Sequence, residues 1–153
     1  MNIRKAVQSD LPYIVRMISD DKLGKTREDY KEPLPKSYFD AFSKIDADRN
    51  QELIVVEDID KSIIGTMQLS FIPYLTYQGG IRAQIEAVRI REDKRGQGVG
   101  EYMFKWAIHK ASDKGAHLLQ LTTDKKRQDA LRFYEKLGFT ASHEGMKLHF
   151  TNQ

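Results

Sequence analysis

The sequence predicts an α/β (α+β) fold: a central mixed, mostly antiparallel twisted sheet of about seven strands, with one parallel βαβ unit and about four flanking helices. Three observations predict it. Apolar residues recur with a period of two in some stretches and near 3.6 in others, the signatures of strands and helices. The stretch from Ile81 to Thr122 reads strand, glycine turn, helix, strand, and strands joined by a helix run parallel. Asp60-Lys61 and Glu144-Gly145 each separate two strand-like runs, which makes two hairpins.

Each element has its own warrant. Ile3 to Val7 is a short strand. Ser9 is placed to cap a helix, with Asp10 and Pro12 tolerated in its first turn. Leu11, Ile14, Val15 and Ile18 fall on one face of that helix, and Gly24 ends it. Asp20 to Lys36 is polar, with five bases against five acids, and Pro33 and Pro35 punctuate it. A second helix follows from Ser37, with Tyr38, Phe42 and Ile45 on one side. Glu52–Glu57 and Ile63–Ile72 are strands rich in β-branched residues. The loop from Pro73 to Gly80 carries two tyrosines and either lines a substrate mouth or closes a packed hairpin end. Ile81 to Ile90 is the central strand. The helix from Gly98 to Asp113 places Val99, Met103, Trp106 and Lys110 on one stripe, widened by Tyr102 and Ala107, and Lys114-Gly115 stops it. His117 to Thr122 is a strand, and Gln128 to Leu137 a helix with Ala130, Phe133, Tyr134 and Leu137 on its apolar face. Phe139–His143 and Met146–Phe150 form the closing hairpin.

Composition narrows the function. A chain of 153 residues is expected to be one domain, residues 1–153. Acidic residues (22) nearly match basic ones (25), so charge makes no case for a nucleic-acid partner. The densest basic run, Lys125-Lys126-Arg127, is either a solvated helix entry or a patch that meets a phosphate. No apolar run is long enough to span a membrane, and Met1 to Lys5 lacks the apolar region of a signal peptide. The absence of cysteine removes disulfides, thiolate metal sites and a cysteine nucleophile, and fits a cytoplasmic protein. His109, His117, His143 and His149 lack zinc-ligand spacing, so no metal is expected.

The chemistry centres on Arg95-Gly96-Gln97-Gly98-Val99-Gly100, where glycines bare the backbone at the start of a helix. The first N–H groups of a helix have no internal partner, and the helix dipole adds positive charge there. Such a spot cradles an anion, usually a phosphate, and Arg95 adds a cation at its rim. No G-x-x-x-x-G-K-[ST] run exists, so this is not a P-loop. Read as a dinucleotide fingerprint, the last glycine position falls on Glu101 or Met103, and both fail.

The run does satisfy [Q/R]-x-x-G-x-[G/A] after an apolar strand, and in this it resembles the acetyl-coenzyme A loop of the GNAT (GCN5-related) N-acetyltransferase superfamily. Downstream, Ala130-Leu131-Arg132-Phe133-Tyr134-Glu135-Lys136-Leu137-Gly138-Phe139 resembles that family's second signature. The order of elements matches the family over nearly the whole chain. The resemblance implies the GNAT acyltransferase fold, with the βαβ unit at the coenzyme site. It also implies an acetyl-CoA-dependent N-acetyltransferase that works on a small-molecule or peptide amine by direct attack in a ternary complex. An acyl-CoA sensor without catalysis is the alternative on the same scaffold. Dimerisation fits the class, and no sequence feature demands it.

The resemblance also assigns roles. The amides of Arg95, Gly96, Gln97, Gly98, Val99 and Gly100 would hold the coenzyme pyrophosphate, and the edge of Val88, Arg89 and Ile90 would pair with its pantetheine arm. An amine acceptor with a pKa of about 10.4 must lose a proton, a thioester oxygen must be stabilised, and a thiolate must leave protonated. Tyr134 takes the family's tyrosine position and becomes the acid, whereas periodicity alone makes it a core residue. Glu86, between Ile85 and Ala87, is either the base, directly or through water, or an outward-facing side chain. Where family members often carry asparagine seven residues before the tyrosine, this chain has Arg127, which reaches a phosphate or is solvated. Leu23 to Lys36, the Tyr74–Gly80 loop and the last hairpin are expected to line the acceptor side.

Overall fold

The computed structural model describes residues 1–151. Five strands form one sheet in the order β1-β2-β3-β4-β5: Asn2–Lys5, Gln51–Glu57, Ile63–Pro73, Ile81–Ile90 and Leu118–Gln120. The first four pair antiparallel, and β4 and β5 pair parallel. The helices are α1 Leu11–Ser19, α2 Gly24–Arg27, α3 Lys36–Ala47, α4 Thr76–Gly79, α5 Val99–Asp113 and α6 Gln128–Lys136.

Strand alternation sends side chains to two cores. On one face Ile54, Met67, Leu69 and Ile85 pack against Met103, Phe104 and Ala107 of α5. On the other, Val55 and Ile63 pack against Leu11, Ile14 and Met17 of α1 and Phe42 of α3. The buried stripe of α5 is Val99, Met103, Phe104, Ala107 and Ala111, rotated from the one expected. Lys110 lies off it, and its ammonium reaches Glu52 at 3.2 Å. Trp106 is half-buried and Tyr102 exposed.

The α1 entry differs from expectation. Ser9 falls within a 3-10 turn (Gln8–Asp10) and makes no cap. The Asp10 carboxylate instead accepts the Val7 N–H at 2.8 Å. The same carboxylate takes Arg4 at 2.7 Å, and Arg4 also binds Glu57 at 2.7 Å. This pins β1, β2 and α1 together. Gly24 does not end α1, which stops at Ser19, but opens α2. A Cβ there would lie 1.9 Å from the Ile18 carbonyl oxygen, so backbone approach requires glycine.

The closing hairpin is absent. Residues 139–151 contain no strand, and the sheet has five strands rather than about seven. Met146, Leu148 and Phe150 alternate as a strand should, but they lie in solvent with no sheet beside them. Alternation describes which face a strand would bury and cannot supply the neighbour that buries it. No helix among the described residues is long and apolar enough to cross a membrane.

Candidate active site

The site forms where β4 leaves β5. Parallel pairing runs through Arg82/Leu118, Ala83/Leu119 and Gln84/Gln120, then stops. Just beyond, β4 bulges: Ala87 adopts φ 52°, and the pairing with β3 jumps from Gln68/Glu86 to Thr66/Arg89. Two residues, Ala87 and Val88, thus oppose Met67 alone, and the extra residue bends the strand. Past that point the two strands no longer pair, and a polar notch lies there, lined by Ile85, Glu86, Ala87, Val88, Arg89, Leu121, Thr122, Arg127 and Tyr134.

Below the bulge, the N–H of Arg91 donates to Ile64 of β3. Peptide directions alternate along a strand, so those of Val88 and Ile90 face the open side. Arginine side chains take both carbonyls there: Arg89 donates to Val88 at 2.8 Å and Arg95 to Ile90 at 3.2 Å. The N–H groups of Val88 and Ile90 have no strand beside them past Gln84. An extended ligand could add to this edge as a strand does.

The glycine turn closes the narrow end. A 3-10 turn (Glu92–Lys94) leads to Arg95, and Gly98 caps α5 with φ 83°. Gly96 has φ 73°, and a Cβ on either glycine would meet nothing within 4 Å, so conformation rather than crowding selects glycine there. Gly100 is different. A Cβ there would lie 3.1 Å from Ile90 and 3.4 Å from Phe133, so glycine lets α5 approach β4 and α6. No side chain caps α5, which leaves its first amides open. The Val99 side chain is buried in the core, so only its peptide belongs to the turn.

Tyr134 enters the notch from α6. Its ring packs on Phe104, Phe133 and Phe139 at 5.4–6.2 Å between centroids. Burial pushes its phenol above the ordinary value, while the charges of Arg127 and Arg89 pull the other way. Arg89 is held by Asp21 at 2.8 Å, and its Nε is buried without a partner. Burial lowers its pKa, with Asp21 opposing. Glu86 is exposed, with Gln84 donating to its carboxylate at 2.7 Å and Gln120 donating to Gln84 at 2.6 Å.

The structure thus gathers Glu86, Val88, Arg89 and Tyr134 around one notch and sets Arg95 to Gly100 at its end, beside Ile90. Arg127 lines the same notch. Sequence reasoning missed the Gln120–Gln84–Glu86 chain. Its signal was Gln84 and Glu86 at alternate positions of β4 opposite Gln120 of β5, visible only once the register is known. The Tyr74–Gly80 loop lies at the far end of β4 from the glycine turn. Tyr77 stacks on His117 at 4.4 Å, and Tyr74 hydrogen-bonds its imidazole, so the loop is a packed hairpin end.

Comparison with known proteins gives these features a family. The model of the acetyltransferase (GNAT) family matches residues 21–139, and the chain belongs to this family. An aminoalkylphosphonate N-acetyltransferase of Salmonella typhimurium is 33% identical over 81 residues, 53% of this chain and 52% of that protein. The match therefore spans about half the length of that curated relative. An L-methionine sulfoximine/L-methionine sulfone acetyltransferase of Pseudomonas aeruginosa is 26% identical over 92% of this chain and 81% of that protein. The crystal structure of a transcriptional regulator from Bacillus halodurans C-125 is 55% identical and superposes with a TM-score of 0.94, covering 97% of this chain and 99% of the other.

Acetyl-CoA is the acyl donor the family implies, and the residues present fit it. The Val88 and Ile90 amides are open on the notch side, the α5 amides are uncapped, and no side chain fills the turn at Gly96 or Gly98.

Proposed function

We propose that the protein is an acetyl-CoA-dependent N-acetyltransferase, one domain that transfers an acetyl group to a primary amine by direct attack in a ternary complex. One observation carries the proposal. A single strand, β4, offers an open peptide edge at Val88 and Ile90 and leads, through one short glycine-bearing turn, into a helix that no side chain caps. An elongated ligand with a diphosphate at one end matches that arrangement.

Bound acetyl-CoA would supply an acetyl thioester open to attack by an amine. The amides of Arg95 to Gly100 hold the diphosphate, and Val88 to Ile90 align the arm. The Val88 N–H points where an oxyanion can be stabilised. Tyr134, a phenol already protonated at neutral pH and pushed further up by burial, serves as the acid for the leaving sulfur. Glu86 accepts the amine proton, directly or through water, and Gln84 holds its carboxylate.

The acceptor enters from the α1–α3 side. An apolar cleft of about 110 Å³ lies there, lined by Leu11, Ile14, Tyr38, Phe42 and Gln68, and it meets the notch at Ala87. The names of the Salmonella and Pseudomonas relatives denote small acceptors, which supports a small-molecule amine over a protein one. The reading involves no nucleic acid, membrane or metal, and places the enzyme in the cytoplasm.

The test is release of free thiol from acetyl-CoA over a panel of small amines and amino-acid analogues. Amine-dependent thiol release is the expected result. Tight coenzyme binding without turnover on any amine would overturn catalysis. A second reading has its own support, because the Bacillus halodurans relative is described as a transcriptional regulator. An acyl-CoA sensor would bind the coenzyme and give that second outcome.

A further inference from the structure

Resting on the transferase reading above, we infer that the amine acceptor carries its own oxyanion, seated on Arg89 and Arg127, and an apolar group that enters the cleft at Ala87. The first support is the direction of side chains on β4. Val88 and Ile90 pack against the α5 core. Arg89, between them, turns to the opposite face, where Asp21 meets it at 2.8 Å. Ile85 is buried in the α5 core, so Glu86 turns to the same face as Arg89. The two stand on either side of the bulged Ala87, which lines both the cleft and the notch. Their cross-strand partners on β3, Gln68 for Glu86 and Thr66 for Arg89, line the cleft as well. The cleft thus opens between a carboxylate and a guanidinium.

The second support is a cation left over. Arg89 is largely buried, and its Nε has no hydrogen-bond partner. Burial pulls its pKa down, Arg127 and Arg27 add to that pull, and Asp21 and Glu28 oppose it. Three cations therefore gather around two acids. Arg27 pairs with Glu28 at 2.8 Å and Arg89 with Asp21, so both acids are taken. Arg127 lines the notch beside Tyr134 and has no acid of its own among the described residues. Cations crowded in a half-dry place are unfavourable until an anion joins them. Guanidinium groups suit carboxylate and phosphonate oxygens.

The two charges also fix how such an acceptor lies. Its anion goes to the arginines and its nitrogen to Glu86. Three residues of strand span at most about 10 Å, so an amine and an anion a few bonds apart can address both ends. The cleft between them is walled by Leu11, Ile14 and Phe42 and takes an apolar side group. A small amino acid with an apolar side chain, or its phosphonate counterpart, has all three parts.

The experiment sets L-leucine, L-methionine and L-phenylalanine each beside its amide, its decarboxylated amine and its aminophosphonate. It measures kcat/KM for acetyl transfer, and calorimetric titration of the coenzyme A-bound protein reads binding without transfer. Acids should exceed their amides and plain amines at least about tenfold in both readouts, although the amides have the less basic nitrogen. Whichever of carboxylate and phosphonate is preferred names the anion. Glycine should bind at least about tenfold more weakly than leucine, and equal binding would overturn the cleft as a seat. Arg89→Gln and Arg127→Gln should bring the acid-to-amide ratio close to one. Arg127 is exposed, so its variant decides if Arg89→Gln fails to fold. Amides that match or beat the acids point to a peptide N-terminus and overturn the proposal. So does an acid preference that survives in Arg127→Gln, or no binding of any acid. Acids that bind without transfer keep the anion seat and remove the transferase reading; transfer without acid preference does the reverse.

Discussion

Replacing Gly98 separates the glycine turn's role in folding from its role in binding. Gly98 caps α5 at φ 83°, with open space where a Cβ would be. Gly98→Ala therefore pays the left-handed strain alone, about 1–2 kcal/mol of stability. Gly98→Glu carries the same strain, but its carboxylate stands at a helix N-terminus and regains about 0.3–1 kcal/mol. The glutamate variant should thus melt at or above the alanine variant. Binding should move the other way. At about 5 Å a carboxylate and one phosphate charge repel by about 0.8 kcal/mol in water and about 3 kcal/mol at an effective dielectric of 20. Coenzyme affinity should then fall from about fourfold to more than about a hundredfold below that of Gly98→Ala. Urea melts give the first quantity, and calorimetric titration with coenzyme A at about 0.1 M salt gives the second. Equal affinity of the two variants would refute a diphosphate at this turn.

Three further outcomes follow from the geometry. Tyr134→Phe should cut turnover at least tenfold while leaving coenzyme affinity within about threefold, in steady-state kinetics beside titration; unchanged turnover removes it as the acid. Phe104 is 1% exposed beneath Phe133, Tyr134 and Phe139, so Phe104→Ala should lose about 3–5 kcal/mol in denaturant melts, and a loss under 1 kcal/mol would mean that core is loose. The Asp10 carboxyl is held below its ordinary range despite burial, because Arg4 and the Val7 amide favour the anion, and Arg4 does the same for Glu57. A depressed carboxyl pKa stabilises the fold above its unfolded value, near 4, and that stability drains as pH falls through the folded value. Arg4→Met should therefore be about 1–3 kcal/mol less stable at neutral pH, with the gap narrowing below about pH 4; a gap independent of pH would exclude the ion pair as its source.

Local signals wrote much of this protein in its sequence. Ile81–Ile90 is a strand with the expected bounds, because Gly79-Gly80 precede it and the charged run Arg91 to Arg95 follows it. The Arg95–Gly100 turn was legible because left-handed backbone favours glycine, as at Gly96 and Gly98. The helix around Tyr134 was legible from its apolar period and from Gly138, which takes φ 97° just past its end. What the tertiary structure decided is where neighbours are and where they are missing. The bulge at Ala87, the parting of β4 from β5 after Gln84 and the Gln120–Gln84–Glu86 chain all depend on register between strands far apart in sequence. The stripe of α5 turned because Phe104, Ala107 and Ala111 face the sheet while Lys110 stays at the border beside Glu52, and the last run stayed out of the sheet although its alternation is that of a strand. A residue's own preference is short-ranged, whereas burial is a property of pairs, and only the folded chain sets the pairs.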